Sequence, residues 1–192
     1  MPRHLVGCAV ALPERWEQWP PGEGAAHRDR VAAELGSTDE ARALIAAAVD
    51  WCDEGEPEPG LIDLAIWVPD PTTGVTAGVL TVVLADVTPG PDPAGRWLHD
   101  IRRKPRLRGI RVLHHDTAPA RVNAGPTVLE LLTTADKRTG QITAQALWRI
   151  FPDDADGAIG LTVRTTELAL TPALVADSEL IAQGLEPLWA EA

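Results

Sequence analysis

The sequence predicts a mixed α+β fold in one domain spanning residues 1–192. Three observations carry this. Seven short apolar segments bounded by turn residues read as strands, four further segments carry helical features, and no stretch separates two cores. A chain of 192 residues, 45% hydrophobic and 23% charged, has the size and composition of one globular domain.

The elements follow in order. Leu5 to Leu12 reads as a strand stopped by Pro13, because proline cannot continue a hydrogen-bonded ladder. The stretch "PERWEQWPPGEG" then reads as an exit loop holding Trp16 and Trp19. Ala25 to Leu35 suits a helix ended by Gly36. Ser37 with Glu40 three residues on spells a capping box. Behind it Ala41, Leu44, Ile45, Ala48 and Cys52 recur on one helical face. After the acidic breaker "DEGEPEPG", Leu61 to Val68 and Val75 to Val87 read as strands. The second is apolar on both faces, which predicts cover on both sides. "AGRWLHDIRRK" is a short helix stopped by Pro105. Ile110 to His115, Thr127 to Thr134, Ile142 to Phe151 and Ile159 to Thr166 are four more strands. Thr171-Pro172 opens a final helix, with a break expected near Asp177.

Two segments share a layout. "IWVPDPTTGVTAGVLTVVL" and "LWRIFPDDADGAIGLTVRT" each place a Trp strand, then Pro-Asp, then Gly five residues after the Pro. Both read as hairpins, since Pro, Asp and Gly favour turns. Paired tips at one edge would be a binding device.

The net charge is −11, which disfavours nucleic acid and anionic membrane as partners. Against that background "RWLHDIRRKPRLRGIR" carries seven basic residues and one acidic, a local +6 that leaves −17 for the other 176 positions. Such a block is a solvated face, an internal partner for the acidic stretch from Glu34 to Glu58, or a seat for an acidic partner or nucleic acid. Arg102, Arg103, Arg106 and Arg108 are the binding candidates there. Trp16 and Trp19 join them, because tryptophan is enriched at interface hot spots.

Leu5-Val6-Gly7-Cys8 matches a lipobox. The apolar lead-in of roughly 7–15 residues that lipidation needs is not there, so Cys8 reads as a strand residue. No run of 18 apolar residues occurs, and the expected compartment is the cytoplasm. The two cysteines, Cys8 and Cys52, give no disulfide framework or zinc spacing. In "HHD" alternation lets His114 and Asp116 share a face while His115 cannot; His99 is the one other nearby ligand candidate. "DDADG" (Asp153, Asp154, Asp156, Gly157) lacks the calcium-loop spacing and reads as an acidic turn. No nucleophile elbow, dinucleotide fingerprint or P-loop is present, so neither an enzyme nor a cofactor is expected.

The segments "CAVALPERW", "VNAGPTVLELL" and "ITAQALWRIFPDDADGAIGLTVRTTE", with a closing helix ending in Trp189, together resemble PsbP-like, or Mog-type, domains. The resemblance implies an antiparallel sheet of about six to seven strands flanked by helices on both faces, an α/β/α sandwich. It also implies adaptor-like use and no catalytic residues. The expected function is a non-catalytic protein-binding module: an adaptor, chaperone or toxin-neutralising protein with an acidic surface and one basic segment. A structural subunit of a larger bacterial assembly, or a small metal-dependent hydrolase around His99, His114 and Asp116, are the alternatives.

Overall fold

The structure is a computed structural model that describes residues 3–54, 58–88, 90–103 and 107–190. Its elements in chain order are β1 (Leu5–Ala9), β2 (Trp16–Trp19), α1 (Gly24–Leu35), α2 (Asp39–Asp53), β3 (Leu61–Trp67), β4 (Gly78–Asp86) and α3 (Pro93–Ile101). There follow β5 (Ile110–Val122), β6 (Gly125–Asp136), β7 (Ile142–Ile150), β8 (Gly157–Thr165), α4 (Thr171–Gln183) and β9 (Glu186–Trp189). Seven strands form one antiparallel sheet in the order β2-β3-β4-β8-β7-β6-β5, and β1 pairs with β9 in a separate two-stranded sheet.

Alternation along the central strands decides the layering. Ala65, Trp67, Leu80, Val82, Leu161 and Val163 face α4, where they pack on Leu174, Ile181 and Leu185. Their neighbours Leu64, Ile66 and Val79 face the other way, onto Val31 and Leu35 of α1 and Ile45 and Val49 of α2. On that second face α3 covers the far end of the sheet, setting Ala94 and Leu98 against Val128 and Ala158. The two apolar faces of β4 therefore mean what the pattern predicts: helices lie on both sides of an antiparallel sheet.

Several local expectations change. Residues 16–19 are strand β2 at the sheet edge, paired with β3 from Trp16↔Trp67 to Trp19↔Leu64. Three positions apart on a strand, Trp16 and Trp19 point to opposite faces, and each seals one core layer at 4% and 1% exposure. They are core residues, which removes both from the exposed binding surface expected of them. The cap of α2 is Thr38, whose hydroxyl accepts from the Ala41 N–H at 3.1 Å; Ser37 Oγ instead donates to the Pro71 carbonyl. The buried stripe of α2 is Ala41, Ile45 and Val49, which leaves Leu44 outside it, 54% exposed. β5 runs to Val122, well past His115. α4 continues unbroken through Asp177, and Trp189 lies on β9 rather than on a helix.

The two hairpin tips do not meet. Val79 pairs with Arg164 and Asp86 with Gly157, so the start of β4 lies beside the end of β8. The 68–77 tip and the 151–156 tip consequently sit at opposite ends of the sheet, and they form no common edge. The first tip is fixed against α2. Gly74 has φ +67°, and a Cβ there would collide with the Ala41 backbone.

Helix α4 is keyed to the sheet by two indoles. Trp148 Nε1 donates to Ser178 Oγ at 3.0 Å, and that hydroxyl donates to the Val175 carbonyl at 2.7 Å. Trp16 Nε1 donates to Asp177 Oδ2 at 2.9 Å, while its ring stacks on Trp67 with centroids 6.0 Å apart. Removing the fully buried Ser178 hydroxyl strands a buried indole N–H. S178A is expected to lower unfolding free energy by about 1–3 kcal/mol in denaturant melts. In a W148F background the same change is expected to cost much less; equal losses in both backgrounds would show that the hydrogen bond is not the cause.

Candidate functional site

The helices on the α1–α2–α3 side leave a gap. α1 and α2 cover β2 to β4, α3 covers the far end, and between α2 and the 107–110 segment the sheet surface is open. The gap is a groove of about 650 Å³. Its floor crosses four strands, with Val79 on β4, Arg164 on β8, Thr143 and Gln145 on β7, and Thr134 on β6. Register holds these side chains in rows, since Arg164 pairs with both Val79 and Gln145, and Thr134 with Thr143. One wall is α2, with Ala48, Trp51 and Cys52; the other is Leu107 and Ile110.

The walls are apolar and exposed, the floor polar. Trp51 is 65% exposed and Leu107 43%. Leu44, Ala48 and Trp51, at i, i+4 and i+7, run along one side of α2 outside its buried stripe. Arg164 is the one charged residue lining the groove among the described residues, and it joins no ion pair there. The Thr76 hydroxyl, on the rim, is buried without a hydrogen-bond partner among those residues. Burial pushes the Cys52 thiol up to about 11; the Arg164 charge pulls the other way and Asp53 adds to the rise.

The basic segment reaches this groove at Leu107 and Ile110. Arg102 and Arg103 follow α3, and Arg108 follows the groove residue Leu107; all three are exposed. None of them, nor Arg111, has a carboxylate within ion-pair distance among the described residues. Among the described residues, the acidic stretch from Glu34 to Glu58 makes its ion pairs with Arg28 and Arg42 instead. Arg96 has a different task, its guanidinium donating to the carbonyls of Thr88 and Pro91 ahead of α3. Arg106 lies outside the described residues.

The other sequence candidates resolve into structure. His114 and Asp116 are exposed on edge strand β5 and do not bond to each other. The buried histidine is His115, whose Nε2 lies 2.9 Å from Glu130 Oε1. Among the described residues no three His, Cys, Asp or Glu come together as a metal site. The "DDADG" turn holds down the start of the chain. Asp156 accepts from the Leu5 N–H at 3.0 Å and lies 2.7 Å from His4 Nδ1, while Asp153 pairs with Arg121. Those contacts draw the Asp156 carboxyl below the usual range. Cys8 sits mid-strand in β1 opposite Pro187, its thiol raised to about 12 by burial and by Asp63. Beneath α3, Arg149 stacks over Trp97 at 4.6 Å, and burial lowers its pKa against the opposing pull of Glu58.

The groove residues escaped the sequence reading, yet a signal exists. Thr143 and Gln145 alternate with Ala144 and Ala146, and Arg164 lies between Val163 and Thr165, so polar residues recur on one face of two central strands. Central strands with a polar face need open sheet above them.

The protein is thus an α/β/α sandwich on an antiparallel sheet with one open face region. No protein-family model matches the chain, and no curated protein matches it in sequence. Among solved structures it is similar to LpqN of Mycobacterium tuberculosis, a protein involved in cell envelope biogenesis. The TM-score is 0.52 at 13% identity, over 97% of this chain and 89% of that one. The likeness is one of fold. No helix among the described residues is long and apolar enough to cross a membrane.

Asp63, in β3 on the face away from the groove, gives a pH test of the fold. Burial raises its carboxyl to about 6, against a smaller lowering by the Leu64 N–H. The folded state therefore binds this proton more tightly than the unfolded chain. The associated stability is present below about pH 4 and is lost as pH rises through about 6. D63N is expected to stabilise the protein at pH 7.5 by on the order of 1 kcal/mol, discounted for partial exposure. The gain should vanish by about pH 4 in thermal melts across pH; a gain independent of pH would assign it to another cause.

Proposed function

We propose that the chain is a non-catalytic protein-binding module that receives an acidic partner at its basic segment and the adjoining groove. The observation that supports this reading most is a set of exposed arginines, Arg102, Arg103, Arg108 and Arg111, without carboxylate partners among the described residues, in a chain of net charge −11. An internal role would have drawn them onto the acidic helices. A solvated but idle face is the alternative. It leaves without a purpose the placement of Arg108 and Arg111 beside the wall residues Leu107 and Ile110 of an open groove that also presents an exposed tryptophan. Arginine grips carboxylates bidentately, and a local positive field speeds encounter with an anionic surface that the rest of the molecule repels.

Adaptor, chaperone and toxin-neutralising roles all fit such a module, and so does residence in the cytoplasm with Cys8 and Cys52 as free thiols. Cell fractionation tests the compartment. Recovery with the cell envelope, the setting given for LpqN, would overturn cytoplasmic residence and leave the docking surface in question untouched.

Docking is tested by affinity capture from the native host with the wild-type chain and an R102E/R103E/R108E variant. A stoichiometric partner is expected on the wild type, with its on-rate at low salt reduced about tenfold or more by the variant, and the difference shrinking at high salt. Equal on-rates at low ionic strength, or recovery of no stoichiometric partner, would overturn the reading.

A further inference from the structure

Resting on that reading, the geometry points to the groove floored by Arg164 as the seat for an extended, acidic peptide segment of the partner. In this seat a carboxylate lies on Arg164 and an apolar side chain lies against Trp51. Three features specify this occupant.

The first is charge. Arg164 is the one charged residue lining the groove among the described residues; no lining carboxylate competes for it, and it has no ion-pair partner there. An exposed guanidinium in a site walled by apolar side chains is matched by a carboxylate, which takes two parallel hydrogen bonds from it. Exposed Arg108, next in the chain to the wall residue Leu107, adds positive charge at that wall.

The second is shape. The groove crosses β4, β8, β7 and β6, three interstrand steps of about 4.8 Å, or about 14 Å, enough for about four residues of extended chain. It is a channel with a sheet for a floor and two walls. Small-molecule sites instead enclose most of the ligand surface.

The third is the division of labour between floor and walls. Gln145, Thr143 and Thr134 offer both donors and acceptors, as a peptide backbone requires. Trp51 and Leu107 offer apolar surface above them. Tryptophan is among the residues enriched at interface hot spots.

The test uses the full chain and a fluorescein-labelled peptide, acetyl-Leu-Glu-Phe-Glu-Leu-amide, read by anisotropy. A second peptide replaces both Glu by Gln. Saturable binding of the Glu peptide is expected, weakened about tenfold by R164Q and about fivefold by W51A. The Gln peptide should bind the wild type about tenfold more weakly and should be indifferent to R164Q, the signature of a direct carboxylate–guanidinium contact. Arg164 and Trp51 are exposed, so unchanged melting temperatures should accompany the losses. Equal binding of the two peptides, equal binding of the Glu peptide to wild type and R164Q, or no saturable binding would overturn the assignment. So would saturable binding of inorganic phosphate or laurate without the peptide, which would assign the groove to a small anion. If the host partner is lost by R102E/R103E/R108E yet indifferent to R164Q and W51A, the groove assignment fails while the binding module stands. If all three variants keep the partner, the module itself fails.

Discussion

Consecutive residues of one helix, Asp177 and Ser178, accept the indole N–H groups of two tryptophans from distant strands, and the arrangement of the molecule hangs on that convergence. Trp16 comes from β2 at the sheet edge and Trp148 from β7, with three strands between them. A tryptophan buried in a core gains a large apolar contact, but its N–H then needs a partner. Both needs are met on α4, which fixes the helix along and across the sheet at once. One face of the sheet is thereby committed to a continuous apolar core from Ala65 to Leu185. Whatever the protein binds must meet the other face, an edge or an end.

The other face is only part covered, and the sequence holds the reason. β3 and β4 give it Leu64, Ile66 and Val79, which draw α1 and α2 over that half. β6 and β8 give it Val128 and Ala158, which draw α3 over the far end. Between them lie Thr134, Thr143, Gln145 and Arg164, which no helix gains by covering. The groove is the surface left when apolar residues recruit their cover and polar residues do not.

The layering was legible because both faces of β4 are apolar, because α2 carries an apolar stripe behind a run of capping residues, one off in the reading, and because α4 opens with a proline in its first turn. What escaped depends on distant residues. β2 is four residues between prolines, and only the pairing of Trp16 with Trp67 makes it a strand. β9 looks like the tail of a helix until β1 is there to pair with it. The sequence reading ends β5 at His115, yet the strand runs on through Pro119, which an edge strand tolerates because one side of its ladder has no partner. The site was less legible than the fold. The basic residues stand out by composition, whereas Arg164 is one arginine in an otherwise ordinary strand, conspicuous only when four strands are laid side by side.

The edges of the sheet argue for the face as the place of recognition. A partner adding a strand would need a long, regular edge with free backbone groups. β2 offers four residues. β5 offers thirteen, but a register shift between Val112 and His114 and the ring of Pro119 interrupt it. Both edges are thus poor templates for strand addition. α4 closes one face, and the 151–156 turn is occupied with holding β1 through Asp156. With edges blunted, one face sealed and one turn engaged, the groove beneath Trp51 is the broad surface where polar side chains, an apolar contact and a cation unpaired among the described residues are offered together. In the proposed binding role, that conjunction, rather than the net charge of either partner, is what would discriminate one acidic chain from another.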